Sequence, residues 1–139
     1  MNVAPYLNFN GNCEEAFQTY ARIFGGKAPV VFYYGDSPMS QKYPQMARQA
    51  MHARVDIGDQ MILGSDTPPE YFEKAQGTSV CVEVEDVEKA ERIFAELAEG
   101  ANVKMPIQET FWAKRYGQLV DRFGTPWMIN VSQQAYAAA

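Results

Sequence analysis

The sequence predicts an α+β protein built from two successive β-α-β-β-β units. Two segments place apolar residues at three- and four-residue steps, as amphipathic helices do. Each is preceded by one short alternating or β-branched stretch and followed by three, the pattern of strands. This order occurs twice within 139 residues, the length of one ordinary domain. The two halves are hardly alike residue by residue, so the repeat is one of pattern. It predicts two units packing side by side, each too small to be stable alone. The expected organisation is a single domain over 1–139, with module one at 1–66, a linker at 67–77 and module two at 78–133.

In the first unit, residues 3–9 (VAPYLNF) alternate and run into Asn10-Gly11-Asn12, a turn that can cap a helix. The helix follows, with Ala16, Phe17, Tyr20, Ile23 and Phe24 on one face. Asn12 is its expected N-cap, Glu14 and Glu15 suit the N-terminal dipole, and Gly25-Gly26 stop it. Residues 27–36 (KAPVVFYYGD) read as a strand rich in Val and aromatics. Residues 37–49 hold two prolines and no period, and are expected to form a long mobile loop whose length makes it a candidate lid over a site. Residues 50–66 read as two strands around a Gly58-Asp59 hairpin turn.

The linker TPPEYFEKAQG interrupts the pattern with two prolines before strand character returns. Residues 78–86 alternate Val80, Val82 and Val84 against Ser79, Cys81 and Glu83. An amphipathic helix with Val87, Ala90, Ile93, Phe94 and Leu97 on one face comes next, ended by Gly100. Three strands are expected over residues 102–112, 114–121 and 126–133. In the turn VDRFGTPW between the last two, Gly124 permits a positive φ, Asp121 can accept backbone N–H bonds, and Pro126 opens a strand where a missing donor is tolerated. The turn is read as structural.

Composition narrows the function. Hydrophobic residues make up 47%, with eight Tyr, eight Phe and two Trp, a globular chain rich in aromatics for lining a cavity or interface. A net charge of −5 and twelve scattered Lys and Arg argue against nucleic acid as a partner. No apolar run approaches the roughly 20 residues of a membrane helix, and residues 1–11 lack the pattern of a signal peptide. A soluble cytoplasmic protein is expected. Cys13 and Cys81 are too few and too far apart for a disulfide framework or zinc site, and are expected to be free thiols.

Three stretches, YLNFNGNCEEAFQTYARIFGG, MHARVDIGDQMILGSD and YGQLVDRFGTPWMIN, occur in this order across nearly the whole chain. Together they resemble the PhnB-like branch of the glyoxalase, bleomycin-resistance and dioxygenase superfamily, the vicinal oxygen chelate proteins. The resemblance implies paired βαβββ modules forming a curved mixed sheet around a cleft, usually in a homodimer. Members either hold a divalent metal that chelates vicinal oxygens of a substrate or bind a small molecule without reaction. The branch has also carried the label of a ubiquinone-pathway methyltransferase. No Gly-rich loop between a strand and a helix is present to cradle that cofactor.

The resemblance implies metal ligands on the first and last strand of each module, normally His, Gln or Glu. Matched by motif, those positions fall near Pro5 or Tyr6, near Leu63 or Gly64, at Ser79 and at Met128, none a good ligand. A slip of register would offer Asp66, Glu83 or Asn130, although a one-residue shift also turns a side chain to the other face. With one His in the chain a nitrogen-rich site is impossible. No cofactor is expected, and a divalent metal remains the alternative.

Strand parity selects the site residues. Met51, Ala53, Val55 and Ile57 would pack on the helices, sending His52 and Arg54 toward the cleft. A neutral imidazole there could serve as a general base, which makes His52 the best catalytic candidate; a hydrogen bond to a neighbouring strand or a dimer contact is the rival role. Tyr6 and Asn8 oppose core-facing Leu7 and Phe9 and would form cavity wall, or else an exposed sheet face. Cys81 shares a face with Ser79 and would be a nucleophile only if its pKa were depressed; a buried inert thiol is the alternative. Trp112, Tyr116, Gln118, Met128 and Asn130 would supply aromatic walls and polar handles, with core packing the other role for Trp112 and Met128.

The expected function is therefore binding of a small apolar or aromatic molecule without a strong metal site. The alternative is a metal-dependent lyase, isomerase or dioxygenase acting on a substrate with vicinal oxygens. A homodimeric interaction module explains the chain less well, because it gives no reason for polar groups on the inferred cleft faces.

Overall fold

A computed structural model describes residues 1–133. The chain divides into two compact units, Met1–Lys74 and a second from Ala75 onward. The first contains β1 (Tyr6–Phe9), α1 (Cys13–Phe24), β2 (Val30–Tyr33), β3 (Ala50–Ile57) and β4 (Gln60–Asp66). The second contains β5 (Val80–Glu83), α2 (Val87–Leu97), β6 (Asn102–Gln108), β7 (Ala113–Val120) and β8 (Pro126–Ser132). The β-α-β-β-β order expected from periodicity is present in both.

Each unit folds its strands into one curved four-stranded mixed sheet, ordered β1-β4-β3-β2 in the first and β5-β8-β7-β6 in the second. The first strand of each unit lies parallel to its last, Tyr6 opposite Leu63 and Val80 opposite Trp127, and the other neighbours are antiparallel. The parallel pair needs a long crossover, which the helix and the two intervening strands supply. No helix among the described residues is long and apolar enough to cross a membrane.

The helices bury the faces that their periodicity marks. Phe17, Tyr20 and Ile23 of α1 are buried with Phe9, Ala53 and Val55, and Ile93, Phe94 and Leu97 of α2 with Trp127, Ile129 and Val131. These side chains carry the hydrophobic stabilisation of each unit, about 1.5–3 kcal/mol for each large one. Among the described residues α1 packs on β3 and β4 and α2 on β7 and β8, and the sheet face turned from each α-helix holds the candidate functional residues.

Several local expectations require correction. The first strand begins at Tyr6 rather than Val3, which is 94% exposed. The strand expected to reach Trp112 ends at Gln108, and Thr110 closes a turn with Ala113, whose N–H it accepts at 3.1 Å. The side chain of Asn12 makes no capping bond. Its place is taken by Asp66 at the end of β4, 1% exposed, whose Oδ1 accepts the N–H groups of Gly11 at 2.9 Å and Cys13 at 3.0 Å while Oδ2 accepts that of Ala50 at 2.9 Å. A carboxylate distant in sequence thus ties the start of α1 to the start of β3.

Residues 37–49 are not a featureless loop. Single 3₁₀ turns at Tyr34–Asp36 and Pro44–Met46 fold the segment over a cluster of buried Tyr34, Tyr43 and Met46, with Met39 and Met51 against it. The Tyr34 hydroxyl donates to the Asp66 carbonyl at 2.7 Å, and Gly35 N–H to the Ala47 carbonyl at 3.0 Å. Periodicity misses this cluster because 3₁₀ turns too short to repeat build it. Met51 joins it instead of the helix-facing row of Ala53 and Val55, because the β2–β3 pairing shifts between Phe32, opposite His52, and Tyr33, opposite Ala50. One extra residue on β3 there is a bulge.

Candidate functional site

The face of the first sheet turned from α1 is lined by alternate residues of four strands. Phe32, opposite His52, brings β2 beside the imidazole. The Phe32 and His52 rings are stacked with centroids 6.4 Å apart, and Tyr6 lies on the other side at 6.0 Å with its hydroxyl 3.5 Å from Nδ1. Tyr6 and Phe32 remain 47% and 58% exposed, so this is an aromatic surface presented to solvent. Of the other residues expected here, Asn8 accepts the Thr67 hydroxyl at 3.3 Å, and Arg54 pairs with Asp56 at 2.9 Å. An exposed pair of this kind contributes little to stability. Phe32 was not anticipated. Its parity with Val30 in the sequence was the available signal, but the register that sets it beside His52 is a tertiary fact.

The corresponding face of the second sheet is ordered in rows across the strands. One row is polar: Glu83 on β5, Asn130 on β8, Tyr116 on β7 and Gln108 on β6. The adjacent row is sulfur-rich: Cys81, Met128, Gln118 and Met105. Asn130 Nδ2 donates to both carboxylate oxygens of Glu83 at 2.9 and 3.0 Å, and the Ser132 hydroxyl donates to Glu83 Oε2 at 2.9 Å. Gln118 Nε2 donates to the Tyr116 hydroxyl at 2.8 Å. Trp112, 42% exposed in the turn before β7, meets Tyr116 edge-on at 5.4 Å. Ser79 lies exposed just ahead of β5. Glu83 and Ser132 belong to this network but were not among the expected cleft residues, although Glu83 continues the alternation of Ser79 and Cys81.

Cys81 is an exposed free thiol, and Cys13 is a buried one. Partial burial first, and the Glu83 carboxylate second, push the Cys81 thiol up from its ordinary value. The environment therefore suppresses the thiolate, the opposite of what a nucleophilic cysteine needs.

The metal positions can be tested on their chemistry. Tyr6, Leu63, Ser79 and Met128 offer a phenol, an alkyl chain, a hydroxyl and a thioether, a poor set for a divalent ion. Asp66 is spent on three backbone N–H groups, and Glu83, fixed by Asn130 and Ser132, is a single carboxylate. Among the described residues no group of three or more His, Cys, Asp and Glu is placed to hold a metal ion. The donor set does not fit the metal that the superfamily resemblance implies.

A concavity of about 350 Å³ at the N-terminus of α1 is lined by Gly11, Asn12, Glu14, Glu15, Gln18, Arg48 and Asp66. It is poorly suited to an anion. Its carboxylates oppose one, and the Gly11 and Cys13 N–H groups that a helix start would offer are already held by Asp66.

Comparison with known proteins agrees with this architecture. The profile of the family described as 3-demethylubiquinone-9 3-methyltransferase matches residues 1–130. Protein YjdN of Escherichia coli is 34% identical over 96% of this chain and 97% of its own. Protein PA1353 from Pseudomonas aeruginosa, in a crystal structure, is 40% identical and superposes with a TM-score of 0.87 over 96% of this chain and 99% of that one. A PhnB protein from Bacillus cereus matches in fold at 21% identity and a TM-score of 0.77, over 95% and 100% of the two chains. The fosfomycin resistance protein FosX from Listeria monocytogenes, complexed with Mn(II) and a dihydroxypropylphosphonic acid, shares the fold at 15% identity and a TM-score of 0.60, over 99% and 95%. The chain belongs to the 3-demethylubiquinone-9 3-methyltransferase family, the PhnB-like branch of the glyoxalase and vicinal oxygen chelate superfamily.

Proposed function

We propose that this protein binds a small apolar or aromatic molecule against its open sheet faces and does so without a strong metal site. The observation that carries the reading is the Tyr6–His52–Phe32 cluster, two half-exposed aromatic rings flanking an imidazole, one stacked on it and one tilted, on the sheet face turned from α1. Such a surface offers planar apolar contact with a few polar handles, the usual composition of a small-molecule site. In this reading modules 1–66 and 78–133, joined by 67–77, act as one domain in a cytoplasmic homodimer, which light scattering tests.

Two experiments test the binding reading together. Metal-stripped protein is titrated with Mn, Fe, Ni, Zn and Mg ions in a thermal-shift assay, since a ligand that binds only the native state raises the melting temperature. No ion is expected to stabilise it. 1-Naphthol, as an apolar aromatic probe, is expected to raise the melting temperature of the wild type but not of Phe32→Ala. Stabilisation by one ion, lost in His52→Ala, would overturn the reading in favour of a metal-dependent lyase, isomerase or dioxygenase, with His52 as a ligand. That alternative draws support from the shared fold of the Mn(II)-bound FosX.

Methyl transfer is not part of the proposal. The β1–α1 connection carries one glycine, and its N–H is taken by Asp66, which argues against a nucleotide-cradling loop there.

A further inference from the structure

We infer that the open face of the second sheet selects a ligand bearing an organic ammonium group on an apolar or aromatic body. This rests on the small-molecule reading above and names the chemistry that one of the two faces would recognise.

Three features of the face carry it. The Glu83 carboxylate is exposed and held in place by neutral donors alone: both Nδ2 contacts of Asn130 and the Ser132 hydroxyl. No Lys or Arg among the described residues forms an ion pair with it. Its charge is oriented but not neutralised. Asn130 is the second feature. With Nδ2 turned to Glu83, its Oδ1 is buried without a hydrogen-bond partner, in a residue only 9% exposed. Rotating the amide would not relieve this, because Oδ1 would then face the carboxylate. With that oxygen closed off from solvent, Asn130 serves the face through Nδ2, which fixes the Glu83 carboxylate and meets the Ser132 hydroxyl.

The third feature is the order of the rows. Tyr116 flanks Asn130 on β7 as Glu83 does on β5, and with Trp112 against it puts aromatic rings, which attract cations, in the same row. The neighbouring row of Cys81, Met128 and Met105 is polarisable and apolar. A molecule lying across both rows sets a positive N–H-bearing head on Glu83 beside Tyr116 and an apolar body on the sulfur row. The net charge of −5 favours the same sign of ligand.

The test uses 2-phenylethylamine, protonated at neutral pH, against 2-phenylethanol, its uncharged counterpart. Binding to the full chain is followed by NMR through the Asn130 side-chain amide and the Tyr116 ring. The amine is expected to bind at least about tenfold more tightly than the alcohol, to move both signals, and to lose about tenfold in Glu83→Gln, the scale of one charged hydrogen bond. Glu83→Asp, which keeps the charge, should retain most of the affinity, and Glu99→Gln should leave it unchanged. Equal binding of amine and alcohol, or an amine affinity indifferent to Glu83→Gln, would overturn the inference. If 1-naphthol binds and the amine does not, the small-molecule reading stands and this one falls; if neither binds, both fall.

Discussion

Phe94 lies over Gly117 in the second unit as Phe17 lies over Gly64 in the first. A Cβ on Gly117 would stand 2.6 Å from Phe94 Cε2, and one on Gly64 would stand 2.8 Å from Phe17 Cζ and 2.6 Å from the Leu7 carbonyl oxygen. The two units share little sequence, yet both seat a helix aromatic on a bare strand backbone.

Alanine at either glycine is therefore expected to destabilise the protein by about 1–3 kcal/mol, the range for overpacking a filled core. Denaturant unfolding measures it. In the second unit, Phe94→Ala combined with Gly117→Ala should cost less than the sum of the single changes, because the smaller side chain vacates the space that the new methyl needs. Strict additivity would show that Phe94 is not what excludes the methyl.

The cap on α1 comes from Asp66, so Asp66→Ala should cost about 3 kcal/mol or more, leaving the N–H groups of Gly11, Cys13 and Ala50 without their acceptor. Asn12→Ala, at the nominal capping position, should stay within about 0.5 kcal/mol. Comparable losses in the two variants would contradict the assignment.

Asp121 plays a similar part in the turn between β7 and β8. Its Oδ1 accepts the N–H groups of Phe123 and Thr125, both at 2.9 Å, and its Oδ2 accepts Trp127 Nε1 at 2.8 Å. Asp121→Ala should lower stability by about 2–3 kcal/mol and alter the emission of Trp127, which is 1% exposed. Unchanged fluorescence would mean that the indole has found another acceptor.

The cysteines give a prediction in pH. Burial above all, then Asp66 and Glu14, pushes the Cys13 thiol up from an ordinary 9.0. The native state keeps it protonated where the unfolded chain would ionise it. This contribution is fully present below pH 9 and is lost as pH rises above it, so stability should decline on the alkaline side, less steeply in Cys13→Ala. Tyr34, raised from 10.0 chiefly by burial, acts in the same direction at higher pH. For the exposed Cys81, alkylation at neutral pH should be slower than for a free thiol and faster in Glu83→Gln, which removes a charge that opposes the thiolate. An unchanged alkylation rate in that variant would argue against control by Glu83.

Much of the fold was legible because its signals are local. The steps of Phe17, Tyr20 and Ile23, and of Ile93, Phe94 and Leu97, mark both buried helix faces without reference to any other part of the chain. Asp121 and Gly124 likewise announce their turn, and Gly124 has a φ of 95°. Elsewhere the deciding partner is far away. Asn12 has the right identity for a cap, but Asp66 wins because the parallel pairing of β1 with β4 delivers a carboxylate to the same N–H groups. The 37–49 segment looked featureless because its Tyr and Met residues converge through turns, without a period of their own.

The sequence by itself determined the order of elements, which side of each helix is buried, and which strand residues share a face, since these follow from the 3.6- and 2-residue periods of the backbone. Only the tertiary structure decided which of those residues meet. Strand register places Phe32 beside His52, and it sets Glu83 and Tyr116 on either side of Asn130. Register depends on pairing between segments separated by tens of residues, and no local period encodes that pairing.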